Sequence, residues 1–288
     1  MKKGIVAVAT LLFTLSAQAA SVWKVSNESH SLYIGGTLHI LSPQDYPLPS
    51  SYKLAYNEAD KVIFETDIAA LSSPEFSQLS LQTLVYQDEQ TLQQTLQPET
   101  YSALKTHLDS RGIPISTMQK LKPSLVGITL SMIEFQRLGL TSQGVDSYYY
   151  TIAMGDGKSV GWFETPEEQL NFIASMGKGD EDAFIRYSLE DVKKIPTMLD
   201  QLRGDWREGD LAALNQYNLQ EFKESFPKIY DELLTQRNLN WMPDIEEMLA
   251  TPEVEFILVG TLHIPGDTGL LDLLNAKGYT ITQVLATE

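Results

Sequence analysis

Residues 254–282 read VEFILVGTLHIPGDTGLLDLLNAKGYTIT, and this stretch decides the fold class. Val254-Glu255-Phe256-Ile257-Leu258-Val259 is a continuous apolar run, the pattern of a strand buried on both faces. The segment from Gly269 to Ala276 has helical spacing, and Lys277-Gly278 ends it. Tyr279-Thr280-Ile281-Thr282 returns as a second strand. A strand, a helix and a strand in so few residues form a βαβ unit, which implies parallel strands and an α/β fold.

Between that first strand and its helix lies Gly260-Thr261-Leu262-His263-Ile264, and the same five residues recur as Gly36-Thr37-Leu38-His39-Ile40. Each copy follows a β-type run and precedes a loop containing Pro. The first follows the short runs Val22–Val25 and Ser31–Ile34, which are separated by Asn27 and Glu28 in the manner of a hairpin. A helix is expected from Ser51 through Asp60, leading into the strand Lys61-Val62-Ile63-Phe64. Ser159–Phe163 reads as another strand, and Thr165-Pro166-Glu167-Glu168 caps the helix behind it. Helical patterns fill about 74–141 and 170–249. The expected fold is therefore α/β, with a central sheet assembled from both chain ends and a helical cap inserted between them. No low-complexity linker marks a boundary, so residues 20–288 are expected to form a single domain.

Groups at the carboxyl ends of neighbouring parallel strands converge on one edge, where ligands bind. Four expected strands end in His39, Glu65, Glu164 and His263. Two imidazoles and two carboxylates suit a hard-to-borderline metal ion. They serve equally as acid, base and orienting groups without metal. Glu164 also has a plain reading, as a residue flanking the cap at Thr165. Asp146 is either a partner that orients a histidine or a turn residue. His30 and His107 have no matched partner and are expected at the surface. The Tyr148-Tyr149-Tyr150 run reads either as the lining of a substrate groove or, as is usual at helical spacing, as core, and core is expected. Removing His39 or His263 is expected to leave stability nearly intact, as for any residue at a strand end.

Composition bounds the setting. Lys2 and Lys3, the apolar stretch Ile5–Leu15 and the small residues of Ala17-Gln18-Ala19 match an export signal over residues 1–19, with cleavage before Ala20. The apolar stretch falls short of a membrane span, and no other long apolar run follows. With 0 Cys there is no lipoprotein anchor, disulfide, thiolate ligand or cysteine nucleophile. The expected location is periplasmic or secreted, with no membrane span after signal cleavage. Without Lys2 and Lys3 the chain carries 19 Lys plus Arg against 38 Asp plus Glu, a net charge of −19. Such a surface repels phosphate backbones, so nucleic acid is excluded as a partner.

The paired Gly-x-x-His motifs resemble those of the TraB/GumN family, with Glu65, Gly144-Val145-Asp146, Glu164-Thr165 and Arg237-Asn238 between them. That family includes the Tiki-type Wnt-inactivating metalloproteases and is distantly related to erythromycin esterase (EreA)/ChaN-like proteins. The resemblance extends from Trp23 to Val284. It implies a divalent metal, of unspecified identity, held by His39, Glu65 and His263. It also implies a catalytic set of His39, Glu65, Glu164, Arg237 and His263, with Arg237 placed to stabilise developing negative charge. On the residues alone, Arg237 reads equally well as a helix-surface ion pair. The expected function is a metal-dependent hydrolase, plausibly a peptidase, acting on a peptide or small molecule. The alternatives are a non-catalytic periplasmic protein that binds a ligand, metal or haem, and an interaction protein whose helical cap is the working surface.

Overall fold

The computed structural model describes residues 20–141 and 143–285. The expected export signal, residues 1–19, lies outside them. Six strands form one sheet in the order β4-β3-β5-β2-β1-β6. They are β1 (Val22–Ser26), β2 (Ser31–Thr37), β3 (Lys61–Thr66), β4 (Ser159–Glu164), β5 (Glu255–Gly260) and β6 (Thr280–Gln283). β1 and β2 are an antiparallel hairpin, while β2, β5, β3 and β4 run parallel. The fold class is thus the α/β one expected, with a central sheet drawn from both chain ends.

The terminal βαβ unit is wider than its sequence suggests. β5 and β6 point the same way, but β2 and β1 lie between them, because β6 pairs antiparallel with β1. The burial patterns agree with these places. β5 is buried through five consecutive residues, as an interior strand must be, whereas β4 at the sheet edge is mostly part-exposed.

Helices cover both faces of the sheet. On one face lie α1 (Ser50–Glu58) and, from the middle of the chain, the helix Val145–Asp156; their Tyr52, Ala55, Val145, Tyr149 and Ala153 pack on Val62, Phe64, Phe256 and Leu258. On the other face, Trp241, Met242 and Ile245 of the helix Gln236–Met248 join Leu270, Leu271 and Leu274 against Ile63, Ile257 and Val259. A third cluster holds the cap together, from α2 (Pro98–Ser110), α3 (Pro123–Arg137) and the long helix Glu181–Glu208: Leu104, Leu108, Val126, Leu130, Ile185, Leu189 and Val192. Further along the chain come α4 (Val145–Asp156), α5 (Pro166–Ser175), α6 (Glu181–Glu208) and α7 (Gln236–Met248). The 170–249 stretch is therefore not cap alone. Its last helix, α7, lies directly on the sheet, and Trp206 near the end of α6 is fully buried in the first core.

Two local expectations change. His107 is not a surface residue: its side chain is 10% exposed, 3.9 Å from Glu134 Oε1, and its Nε2 has no hydrogen-bond partner. Spacing alone could not show that the helix α3 closes over it. Of the three consecutive tyrosines only Tyr149 is buried, while Tyr148 is 39% exposed, since neighbouring residues on a helix point in different directions. Among the described residues no helix is long and apolar enough to cross a membrane.

Candidate functional site

The two Gly-Thr-Leu-His-Ile copies lie on adjacent parallel strands, but one residue out of step. Gly36 is opposite Val259, and Thr37 is opposite Gly260. The backbone that follows differs between the copies. β2 stops at Thr37 and His39 enters an exposed loop, its side chain 67% accessible. β5 stops at Gly260 and Thr261–His263 tightens into a 3-10 turn that leaves His263 4% exposed. Both rings still reach one place. A Cβ added at Gly260 would stand 3.1 Å from Glu65 Oε1, 3.6 Å from His263 Cδ2 and 3.7 Å from His39 Nε2. Glycine there leaves a hollow that any side chain would fill.

His39 is oriented from the middle of the chain. A Cβ at Gly144 would collide with the backbone of Leu38 and His39, so only glycine lets α4 begin this close. The Val145 amide then donates to the Leu38 carbonyl at 3.1 Å. Asp146, in the first turn of α4, meets His39 Nδ1 at 2.8 Å. Asp146 is thus a histidine partner and not merely a turn residue. The Asp146 charge raises the His39 pKa to about 9; Glu65 adds to the effect, and desolvation and Arg237 oppose it. Nε2 has no hydrogen-bond partner among the described residues and faces the hollow.

Beneath the hollow, Arg237 ties the carboxylates together. Glu65 and Glu164 come from β3 and β4, and Arg237 from the first turn of α7; all three are buried. Arg237 Nε donates to Glu164 Oε1 at 2.8 Å, and Nη2 donates to Glu164 Oε2 at 2.7 Å and to Glu65 Oε2 at 2.6 Å. Nη1 donates to the Leu233 carbonyl at 3.2 Å and to His263 Nε2 at 3.1 Å. Those contacts use every N–H of the guanidinium. The expectation that Arg237 receives developing negative charge therefore fails in this arrangement, because its donors are already engaged. Its surface ion-pair reading fails as well, since it is 7% exposed.

The tautomer of His263 follows from its neighbours. Nε2 accepts from Arg237, so the ring proton is on Nδ1, which donates to Asn238 Oδ1 at 2.6 Å. Asn238 Nδ2 in turn donates to the carbonyls of His263 and Thr268 at 3.0 and 2.7 Å, which fixes the amide orientation. Burial pushes the His263 pKa down to about 3, with Arg237 adding to the effect and Glu65 opposing it. The ring is neutral at physiological pH. Burial disfavours charge on Glu65, but the cations facing it at low pH, His263 first and then Arg237 and His39, together with the Gly260 amide at 2.5 Å, hold its carboxyl well below the usual range. At neutral pH His263 is uncharged, so Arg237 is the principal buried counter-charge.

Residue reading missed two members of this network, Trp241 and Gln169, and gave Asn238 only as part of the Arg237-Asn238 pair. Trp241 Nε1 donates to Glu164 Oε1 at 2.9 Å, Gln169 Nε2 bridges Glu65 and Glu164 at 3.3 and 3.4 Å, and Asn238 holds His263. One signal was present: Arg237 and Trp241 are four residues apart and share a helix face. Thr165 caps α5 as expected, its Oγ1 accepting from the Glu168 amide at 3.2 Å.

A divalent metal was expected on His39, Glu65 and His263. The donor types suit such an ion, and His263 Nε2 stands 3.9 Å from Glu65 Oε1, but Arg237 already occupies that nitrogen's lone pair. His263 turns a carbon, Cδ2, toward the hollow and gives Nε2 to Arg237. Among the described residues no group of three or more His, Asp or Glu side chains is placed to hold a metal. The side chains as arranged do not fit a three-ligand centre.

The chain is similar to proteins named uncharacterized protein YbaP. It is 26% identical over 243 residues to the one from Escherichia coli (strain K12), covering 83% of this chain and 86% of that protein. It is 26% identical over 249 residues to the one from Shigella flexneri, covering 85% and 88%. No solved structure matches it. The sequence pattern of the TraB/PrgY/gumN family matches residues 21–283, and the chain belongs to that family.

Proposed function

We propose that the chain is an exported hydrolase of ester or amide bonds that uses His39 as its proton-transfer group. One observation carries this reading: His39 Nε2 is an accessible, unpartnered imidazole nitrogen whose opposite nitrogen is held by a carboxylate at 2.8 Å. That is the arrangement needed to fix a tautomer and stabilise the imidazolium. In its neutral form, His39 takes a proton from a water in the hollow as the water oxygen adds to the substrate carbonyl carbon. The imidazolium then returns that proton to the leaving oxygen or nitrogen as the scissile bond breaks. Glu65 Oε1 accepts the water's other hydrogen, and Arg237 holds Glu65 ionised and in place. The negative surface favours neutral or cationic substrates over anionic ones.

The test is turnover of a panel of esters and blocked peptides by wild type, His39→Ala and His107→Ala. Activity that is lost in His39→Ala and kept in His107→Ala supports the reading. Because the His39 pKa is raised to about 9, kcat/KM should rise with pH and level off near that value. Turnover that is indifferent to His39 overturns the proposal. Saturable ligand binding without turnover would favour a binding protein.

A further inference from the structure

At the opposite end of the sheet from His39, a cavity of about 320 Å³ opens between the sheet and α7. It is unrelated to the proposed hydrolytic centre. Its lining includes Lys61, Gly161, Asp244, Glu247, Glu253 and Glu255. Glu255 opens β5 and alternates with Phe256, so its side chain is on the same face as Ile257 and Val259, the face that α7 covers. It is 3% exposed, and its Oε2 is buried with no hydrogen-bond partner. Buried carboxylates are ordinarily paired, because an unpartnered one forfeits its hydration with nothing in return.

The chain's own cation does not fill that role. Lys61 is the register partner of Glu255 on β3. Its side chain lies across Gly161, however, with Cε 3.1 Å and Nζ 3.5 Å from where a Cβ there would stand. Among the described residues Lys61 makes no ion pair with Glu255. Gly161 thus serves as the track along which Lys61 is drawn toward the sheet edge, leaving Glu255 at the cavity floor. The carboxylates Asp244, Glu247 and Glu253 surround it.

We propose that this cavity binds the alkylammonium group of an organic cation, with Glu255 as its buried anchor and the carboxylates of α7 and residue 253 as its rim. An anion is excluded by the charge of the lining. A metal ion is disfavoured because no three carboxylates among the described residues stand close enough to hold one. The remaining class is a cation whose charge is carried on N–H donors. The volume is at the small end of ligand pockets, enough for a linear diamine or a lysine side chain.

The experiment is titration calorimetry of the full chain with 1,5-diaminopentane, and separately with a blocked tripeptide whose central residue is lysine. Saturable 1:1 binding is expected, and the tighter of the two probes identifies a free amine or a peptide side chain as the source. Glu255→Gln should weaken binding at least tenfold, whereas Glu99→Gln, an exposed acid elsewhere, should leave it unchanged. The double change Asp244→Asn with Glu247→Gln alters only exposed side chains, so it is a second test should Glu255→Gln fold poorly; it should weaken binding several-fold. Lys61→Met should tighten it. The proposal is overturned if neither probe saturates, or if the cavity variants bind no more weakly than Glu99→Gln, which would reveal general attraction to an acidic surface.

Discussion

Replacing Arg237 with Met should be among the most damaging single changes in the protein. Methionine keeps an unbranched apolar stem but stops short of the guanidinium's place, which lies 5.6 and 4.9 Å from the rings of Phe172 and Trp241. The cation is what is lost. Glu65 and Glu164 then remain buried beside each other, and Trp241 and Gln169 supply neutral donors only. Removing one partner of a buried ion pair costs about 3–5 kcal/mol, a large share of the roughly 5–15 kcal/mol that holds a domain together. With a urea m-value of about 3 kcal/mol/M, the midpoint should fall by about 1–1.7 M at pH 7. The loss should depend on pH with a definite sign. In wild type the Glu65 pKa is depressed, so its stabilisation is present above the ordinary carboxylate value of about 4.3 and is lost as pH falls through the folded value. In Arg237→Met burial acts on Glu65 with its main counter-charge removed, so acid should stabilise the variant, and the gap to wild type should narrow between pH 7 and pH 4.5. The assay is urea unfolding of both proteins at the two pH values. A loss under about 1 kcal/mol at pH 7, or a gap that stays constant with acidification, would refute the network as described.

Asp146→Asn should bring the His39 pKa down from about 9 toward its ordinary value, read by NMR titration and by the pH dependence of turnover. The sign for stability is the reverse of that for Glu65. The contribution of the His39–Asp146 pair is full below about 6.5 and lost as pH rises through about 9, so wild type and Asp146→Asn should melt together at high pH and apart at neutral pH. Gly260→Ala should cut turnover by at least tenfold with little change in melting temperature, since the added methyl enters the hollow 3.1 Å from Glu65 Oε1. His39→Ala should lower stability at neutral pH in the same direction as Asp146→Asn, since it removes the same pair, whereas His263→Ala should cost about 2–4 kcal/mol in urea unfolding, because it strands buried donors and acceptors on Arg237 and Asn238. Chelator treatment followed by elemental analysis should change neither metal content nor turnover, and stoichiometric metal that depends on His39 and Glu65 would contradict a site in which Arg237 already occupies the His263 lone pair.

Much of the sheet was readable because its strands are short apolar runs that end in unusual residues. β3, β4 and β5 are recognisable from Lys61–Phe64, Ser159–Phe163 and Val254–Val259, and they bring Glu65, Glu164 and Gly260 to one edge. Strand order was less legible. Nothing in residues 254–282 says that the hairpin β1–β2 inserts between the two ends of the βαβ unit. The difference between the twin histidines was also hidden, for a structural reason. The five residues are identical, so the difference lies outside them, in the 3-10 turn and the α7 contacts that bury His263 and the loop that leaves His39 exposed. The role of Arg237 required knowing which way α7 lies. Had α7 packed on the cap, the arginine would have been a surface residue. His107 shows the same limit, since its burial depends on how helices distant in sequence close around it.

The pairing of β2 with β5 also orders events in time. Residues 33–37 find their partners at 256–260, more than two hundred residues later in synthesis. Until β5 has been made, Glu65 has no Gly260 amide to hold it and His39 has no hollow to face. A nascent chain carries His39 and Glu65 long before Arg237 and His263 exist. Such long-range closure makes folding slow, and it leaves the cluster unassembled until β5 has been synthesised.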